Sequence, residues 1–189
     1  MKKNIVMAAG IIAALILFSS GYAVCASPPA AGDVFPALQL PVPSGTGDKS
    51  YLGIRGGNTF MIPDVKAKVV LIEVLSMYCP FCQREAPHVN EVFALIEKNP
   101  DLRNRIKVIG IGAGNSLYET QVYREKYGVP FPVIPDGDYM FHKVLGEVRT
   151  PYFIGINNDG GIPRVFFSKL GGFQNPAEFL DQIVRESGL

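Results

Sequence analysis

Residues Lys68–Pro87 read KVVLIEVLSMYCPFCQREAP, and the fold follows from this stretch. Val69–Leu75 is an apolar run rich in β-branched residues, the pattern of a strand buried on both faces. Cys79-Pro80-Phe81-Cys82 follows, and then a helical pattern. A strand that feeds a helix through C-x-x-C is a redox layout.

The chemistry of that layout comes from backbone geometry. Cys79 falls at the N-cap, and Pro80 at the first helical position, where a missing N–H costs nothing. Unpaired N–H groups and the positive end of the helix dipole then face the Cys79 sulfur and favour thiolate over thiol. Cys82 lies three residues on, which on a helix brings the two Cβ atoms to about 5–6 Å. A Cys79–Cys82 disulfide then needs only a small local adjustment. As a permanent staple it would close too short a loop to stabilise much. A zinc site normally takes four ligands, and only His88 is near, so no metal is expected.

Two carboxylates accompany the cysteines. Glu73 interrupts VVLIEVL six residues before Cys79. Burial there raises a carboxyl pKa and makes it a proton acceptor near neutrality, unless the residue faces a polar edge. Glu85 lies one turn beyond Cys82, placed to take the proton of the less exposed thiol, unless it is an ordinary solvated residue. Pro87 cannot supply its helical N–H and should kink or reshape the helix. His88 is on the same helix near Glu85, and His142 has no evident partner.

Together, the strand, Met77-Tyr78-Cys79-Pro80-Phe81-Cys82, the flanking acids and Pro87 resemble the thioredoxin superfamily. More narrowly they resemble the extracytoplasmic thiol–disulfide oxidoreductases of the TlpA/ResA type, within the redoxin/AhpC-TSA group. Tyr78 stands where that family usually has Trp, and the chain contains no Trp. The resemblance implies an α/β, thioredoxin-like fold with an N-terminal β-hairpin extension and a central strand-helix insertion. It implies catalysis by Cys79, Cys82, Glu73 and Glu85, with Tyr78, Pro80, Phe81, Thr150 and Pro151 contacting substrate. Thr150-Pro151 is similar to the cis-proline loop that faces the active-site cysteines. Its exposed backbone groups would pair with an extended substrate segment.

Composition narrows the field. At 189 residues with net charge +1, nothing points to nucleic acid. Lys2 and Lys3 precede an apolar run, Ile5–Phe18, of secretory length, so residues 1–26 read as a signal peptide cleaved after Ala26, or as a retained anchor. Val24 before Cys25 is not the small residue a lipobox needs. Export places the protein in an extracytoplasmic compartment such as the periplasm, and leaves Cys79 and Cys82 as the mature protein's cysteines.

Residues 27–31 read as a linker and 32–189 as one domain. Asp33–Leu40 looks like a short extended element, 41–51 like a Gly/Ser/Pro loop and Asn58–Ile62 like a second strand. After the first helix, which ends near Asn99, come a strand at Ile106–Ile111 and a helix from the Ser116/Glu119 capping box to Gly128. A strand at Phe131–Ile134 and a short helix around Tyr139–Leu145 follow. Phe153–Ile156 and Ile162–Phe167 form a hairpin, and Asn175-Pro176 starts the last helix.

The function read from these residues is a thiol–disulfide oxidoreductase that reduces protein disulfides, without organic cofactor. Its partners are protein thiols and disulfides and a membrane or extracytoplasmic thiol electron donor. Three alternatives stand beside it: a peroxiredoxin-like peroxidase, a metallochaperone holding copper between the thiols, and an interaction module without turnover. Peroxiredoxins of this superfamily carry P-x-x-x-T-x-x-C, and the matching positions here are Ile72, Ser76 and Cys79.

Overall fold

The computed structural model describes residues 27–189; the expectations placed on 1–26, Cys25 included, lie outside the described residues. In chain order the elements are β1 (Leu40–Pro41), α1 (Thr46–Leu52), β2 (Thr59–Phe60), β3 (Val69–Leu75), α2 (Pro80–Lys98), β4 (Ile106–Ala113), α3 (Leu117–Tyr127), β5 (Val133–Asp136), α4 (Met140–Val144), β6 (Tyr152–Asn157), β7 (Arg164–Leu170) and α5 (Pro176–Ser187).

The main sheet has the order β5-β4-β3-β6-β7. β3, β4 and β5 run parallel, β6 is antiparallel to β3, and β7 is antiparallel to β6. β3 is central, which is why each of its residues is buried. Its alternation divides the core. Val69, Leu71 and Leu75 pack with Cys82, Ala86, Val89 and Val92 of α2 and Phe179 and Ile183 of α5. Val70, Ile72 and Val74 pack on the other face with Phe35, Leu40, Leu52 and Phe60 of the N-terminal extension. Glu73 shares its parity with Leu71 and Leu75, so an acid sits in the layer beneath α2.

Helix boundaries follow local signals. Ser116 and Glu119 form the reciprocal capping box, and Gly128 closes α3 in the left-handed conformation. Asn175 accepts from the Ala177 and Glu178 N–H groups, with Pro176 at the first position of α5.

Several expectations need correction. The β1–β2 pair is antiparallel, but a helix joins its strands rather than a loop. α1 has Gly45 as its cap with no side-chain bond, and its one buried residue is Leu52. Within residues 27–31 Pro29 is buried, and just beyond them the Gly32 N–H donates to the Val165 carbonyl at 2.8 Å. β5 lies two residues later than expected, at Val133–Asp136. Pro87 lies within α2.

Candidate active site

The loop between β3 and α2 is fixed by contacts from distant parts of the chain. Asn115, fully buried after β4, accepts the Met77 N–H through Oδ1 at 2.8 Å and reaches Ser76 Oγ through Nδ2 at 3.4 Å. Gln83 Nε2 donates to the Met77 carbonyl at 2.7 Å. The buried Tyr123 hydroxyl donates to the Cys82 carbonyl at 3.0 Å. The first turn of α2 is therefore held from the strand side and from α3.

Cys79 caps α2, and its sulfur accepts the Cys82 N–H at 3.5 Å. Both thiols are free in this structure. Burial pushes the Cys79 pKa up, but hydrogen bonds to the sulfur from the Thr150 side chain, from Cys82 and from the Phe81 N–H outweigh it. The net effect holds the thiol below its ordinary range. Cys82 is sealed, 0% exposed, and burial drives its pKa far up, with the nearby Glu73 charge adding to the effect. The two sulfurs thus differ in both access and acidity.

Thr150 meets Cys79. The Thr150–Pro151 peptide is cis, and the Cys79 thiol donates to the Thr150 carbonyl at 3.3 Å. Around Cys79 the surface is aromatic. Tyr78 is 65% and Phe81 64% exposed. The Tyr78 hydroxyl donates to Glu119, and this bond, with those from Ser116, lowers the Glu119 pKa to about 2. The Arg84 guanidinium lies 4.6 Å from the Phe81 ring centre.

The structure brings both acids to the site. Glu73 is 1% exposed, and its Oε1 has no hydrogen-bond partner among the described residues. Burial, then the charges of Glu85 and Cys79, raise its pKa to about 8. Glu85 is also buried; its Oε1 accepts the Phe173 N–H at 2.9 Å. Gly172 stands so close that a Cβ there would collide with the carboxylate. His142 is not at this site: its Nε2 pairs with the Val148 carbonyl at 2.8 Å.

Sequence reasoning missed Gln83, Asn115, Tyr123 and Phe173. Asn115 alone left a local trace, as a polar residue at the end of a strand beside a helix cap.

The Redoxin family profile matches residues 30–179. The chain belongs to the Redoxin family. Thiol-disulfide oxidoreductase ResA of Halalkalibacterium halodurans is 26% identical over 133 residues, 69% of this chain and 71% of that one. Other ResA proteins match over 58–60% of their own length. A Chlorobium tepidum structure, solved under the provisional name of a DsbE thiol:disulfide interchange protein, superposes with a TM-score of 0.63 at 17% identity. That match covers 84% of this chain and 98% of the other. A secreted disulfide oxidoreductase of Mycobacterium tuberculosis gives 0.53 at 19% identity, over 68% and 90%. These two likenesses establish the thioredoxin-like fold of the Redoxin chain.

Proposed function

We propose that this Redoxin chain is a thiol–disulfide oxidoreductase that reduces protein disulfides outside the cytoplasm. One observation carries the reading. A sulfur of lowered pKa caps α2 at an open aromatic surface, and a second, sealed sulfur of raised pKa lies one turn behind it.

The Cys79 thiolate attacks one sulfur of a substrate disulfide. The substrate S–S bond breaks, a Cys79–substrate mixed disulfide forms, and the departing thiolate takes a proton. Cys82 then loses its proton to the Glu73 carboxylate and attacks the Cys79 sulfur. The mixed disulfide breaks, the second substrate thiolate leaves, and a Cys79–Cys82 disulfide remains. Two electrons have passed from the dithiol to the substrate. An extracytoplasmic thiol donor reverses the oxidation of the pair.

The surroundings serve these steps. Tyr78, Phe81 and Pro80 form the rim that a peptide meets first, and the Thr150 backbone before Pro151 pairs with its extended chain. Glu73 suits the proton-accepting role because its pKa, near 8, lies close to working pH, where general bases are most effective. Export rests on the Lys2–Lys3 and Ile5–Phe18 pattern and on the relative described as secreted.

The test is reduction of insulin disulfides by the reduced wild-type protein, alongside Cys79→Ser and Cys82→Ser. Wild type should turn over with a thiol donor, and both variants should not. A wild-type protein inert toward protein disulfides but binding copper(I) stoichiometrically would replace this reading with the metallochaperone.

A further inference from the structure

Beyond the carboxyl ends of the three parallel strands, each following segment carries an exposed apolar side chain. Tyr78 stands between β3 and α2, Tyr118 in the first turn of α3, and Tyr139 and Met140 at the start of α4. Tyr118 is 73% and Met140 57% exposed. No residue of α4 is buried, and Val144, one turn past Met140, continues its exposed face. In an open α/β sheet, ligands are met at this edge.

These side chains are tied to one another. The Tyr78 hydroxyl donates to the carboxylate of Glu119, the residue next to Tyr118. The hydroxyl end of the Tyr139 ring lies against Gly114, in the segment between β4 and α3, so closely that a Cβ there would collide with it. Tyr139 itself has φ 60, a left-handed conformation that residues with a side chain rarely adopt. Single exposed apolar residues are ordinary, whereas a connected run marks a contact surface.

The sheet order sets the direction of that run. β4 and β5 lie on one side of β3, and β6, which Thr150 and Pro151 precede, lies on the other. Cys79 is therefore flanked by Thr150 on one side and by Tyr118, Tyr139 and Met140 on the opposite one. At about 4.8 Å between neighbouring strands, β3 to β5 spans about 10 Å, the length of roughly three extended residues. A polypeptide whose disulfide sits over Cys79, with one flank against Thr150, lays its other flank across the ends of β4 and β5. The charged residues interleaved with the strip, Glu119, Asp138 and Lys143, leave one net negative charge, which an anionic lipid surface would not select. Tyrosine and methionine give broad, adaptable contact with apolar side chains and do not demand one sequence.

We propose, on the basis of the disulfide exchange proposed above, that Tyr118, Tyr139 and Met140 bind the apolar flank of an extended substrate segment. The preferred substrates are then disulfides in unfolded chains that carry apolar side chains a few residues from the reacting cysteine. The strip binds the segment and leaves the chemistry at the sulfurs unchanged.

The experiment uses the reduced full chain and its Tyr118→Ser/Met140→Ser double variant, both positions being exposed and outside the cysteine machinery. Three oxidants are compared by stopped flow. Two are disulfide-linked peptides that differ only in carrying Leu and Phe, or Ser, at the positions two to four residues either side of the cysteine. The third is hydroxyethyl disulfide, which is too small to reach the strip. Wild type should reduce the Leu/Phe peptide about tenfold faster than the Ser peptide, the worth of burying most of one large apolar side chain. The double variant should lose that preference and reduce hydroxyethyl disulfide at the wild-type rate. A wild type without preference, or a variant that keeps it, would overturn the proposal. So would an equal loss of rate on all three oxidants, the mark of a disturbed Cys79. Sedimentation showing a wild-type dimer that the substitutions dissociate would assign the strip to a second copy and overturn it as well. Failure of wild type on hydroxyethyl disulfide too would defeat the reading of function itself, an outcome distinct from these.

Discussion

The Glu85 carboxylate accepts the Phe173 backbone N–H at 2.9 Å, tying an acid on α2 to the loop that leads into α5. The two residues are 88 positions apart in sequence. The tie depends on Gly172, where even one added carbon meets the Glu85 carboxylate. Gly172→Ala should therefore displace Glu85 and break the bond, costing about 1–3 kcal/mol, the range for overpacking a close contact. Thermal unfolding and the rate of disulfide exchange should both fall. A variant equal to wild type in both would show that Glu85 is not held by this loop.

A second prediction concerns the division of labour between the thiols. Cys79 is partly exposed and acidified, and Cys82 is sealed. Cys82→Ser should accumulate mixed disulfides through Cys79, whereas Cys79→Ser should trap few or none. In the reduced wild type, alkylation near neutrality should modify Cys79 well before Cys82. Equal trapping by both variants, resolved on a non-reducing gel, would reverse or erase the assignment.

Stability should carry the signature of Glu73. Its folded pKa, about 8, lies above the ordinary value of 4.5. The folded state therefore binds this proton more tightly than the unfolded chain does. Its contribution is fully present below about pH 4.5 and is lost as pH rises through about 8. The unfolding free energy of wild type, measured by denaturant titration, should fall across that window relative to that of Glu73→Gln, by an amount on the order of a few kcal/mol. A wild-type-minus-variant difference that stays flat from pH 4.5 to 8 would mean that Glu73 is not perturbed.

What the sequence disclosed was local. The Cys79-Pro80 start of α2, the Ser116/Glu119 box and the Asn175-Pro176 cap each need only a few neighbouring residues, and each appears where its pattern predicts. The alternating burial of β3 is likewise written in its own seven residues. α1 escaped because TGDKSYL has one buried side chain and a glycine cap, so neither an apolar stripe nor a capping residue marks it. The supports of the cysteine loop escaped for a different reason. Asn115 to Met77 spans 38 residues and Tyr123 to Cys82 spans 41, and no periodicity links such pairs. Glu73 and Glu85 were legible as acids out of place, but the tie from Glu85 to Phe173 exists only once α5 has docked.

Asn115 allows a direct test of one such support. Asn115→Ala leaves the Met77 N–H without its acceptor, and a buried unpaired donor costs about 1–3 kcal/mol. The loop carrying Cys79 should also loosen. Amide exchange at Met77 should rise, and the Cys79 alkylation rate should change. Unchanged protection at Met77 would place the constraint elsewhere, for example on the Gln83 bond to the Met77 carbonyl.

The last prediction separates disulfide exchange from peroxide reduction, the same-chemistry alternative. Of the P-x-x-x-T-x-x-C pattern that surrounds a peroxidatic cysteine, the proline position holds Ile72, buried inside β3, and only the hydroxyl of Ser76 survives. That hydroxyl is met by Asn115 Nδ2 at 3.4 Å, which commits it to the loop's support. Attack of the Cys79 thiolate on a peroxide would give a sulfenic acid and release the alcohol or water. Cys82, one turn away, would then displace hydroxide as water and form the disulfide at once. Slow peroxide consumption should follow from the missing pocket, and prompt internal disulfide formation from the proximity of Cys82. Insulin disulfides, by contrast, meet Cys79 at the open rim of Tyr78 and Phe81. Stopped-flow rates for both oxidants on the same reduced sample should therefore favour the disulfide. A peroxide rate constant well above the disulfide one would instead make this Redoxin chain a peroxidase, with Cys82 resolving its sulfenic acid.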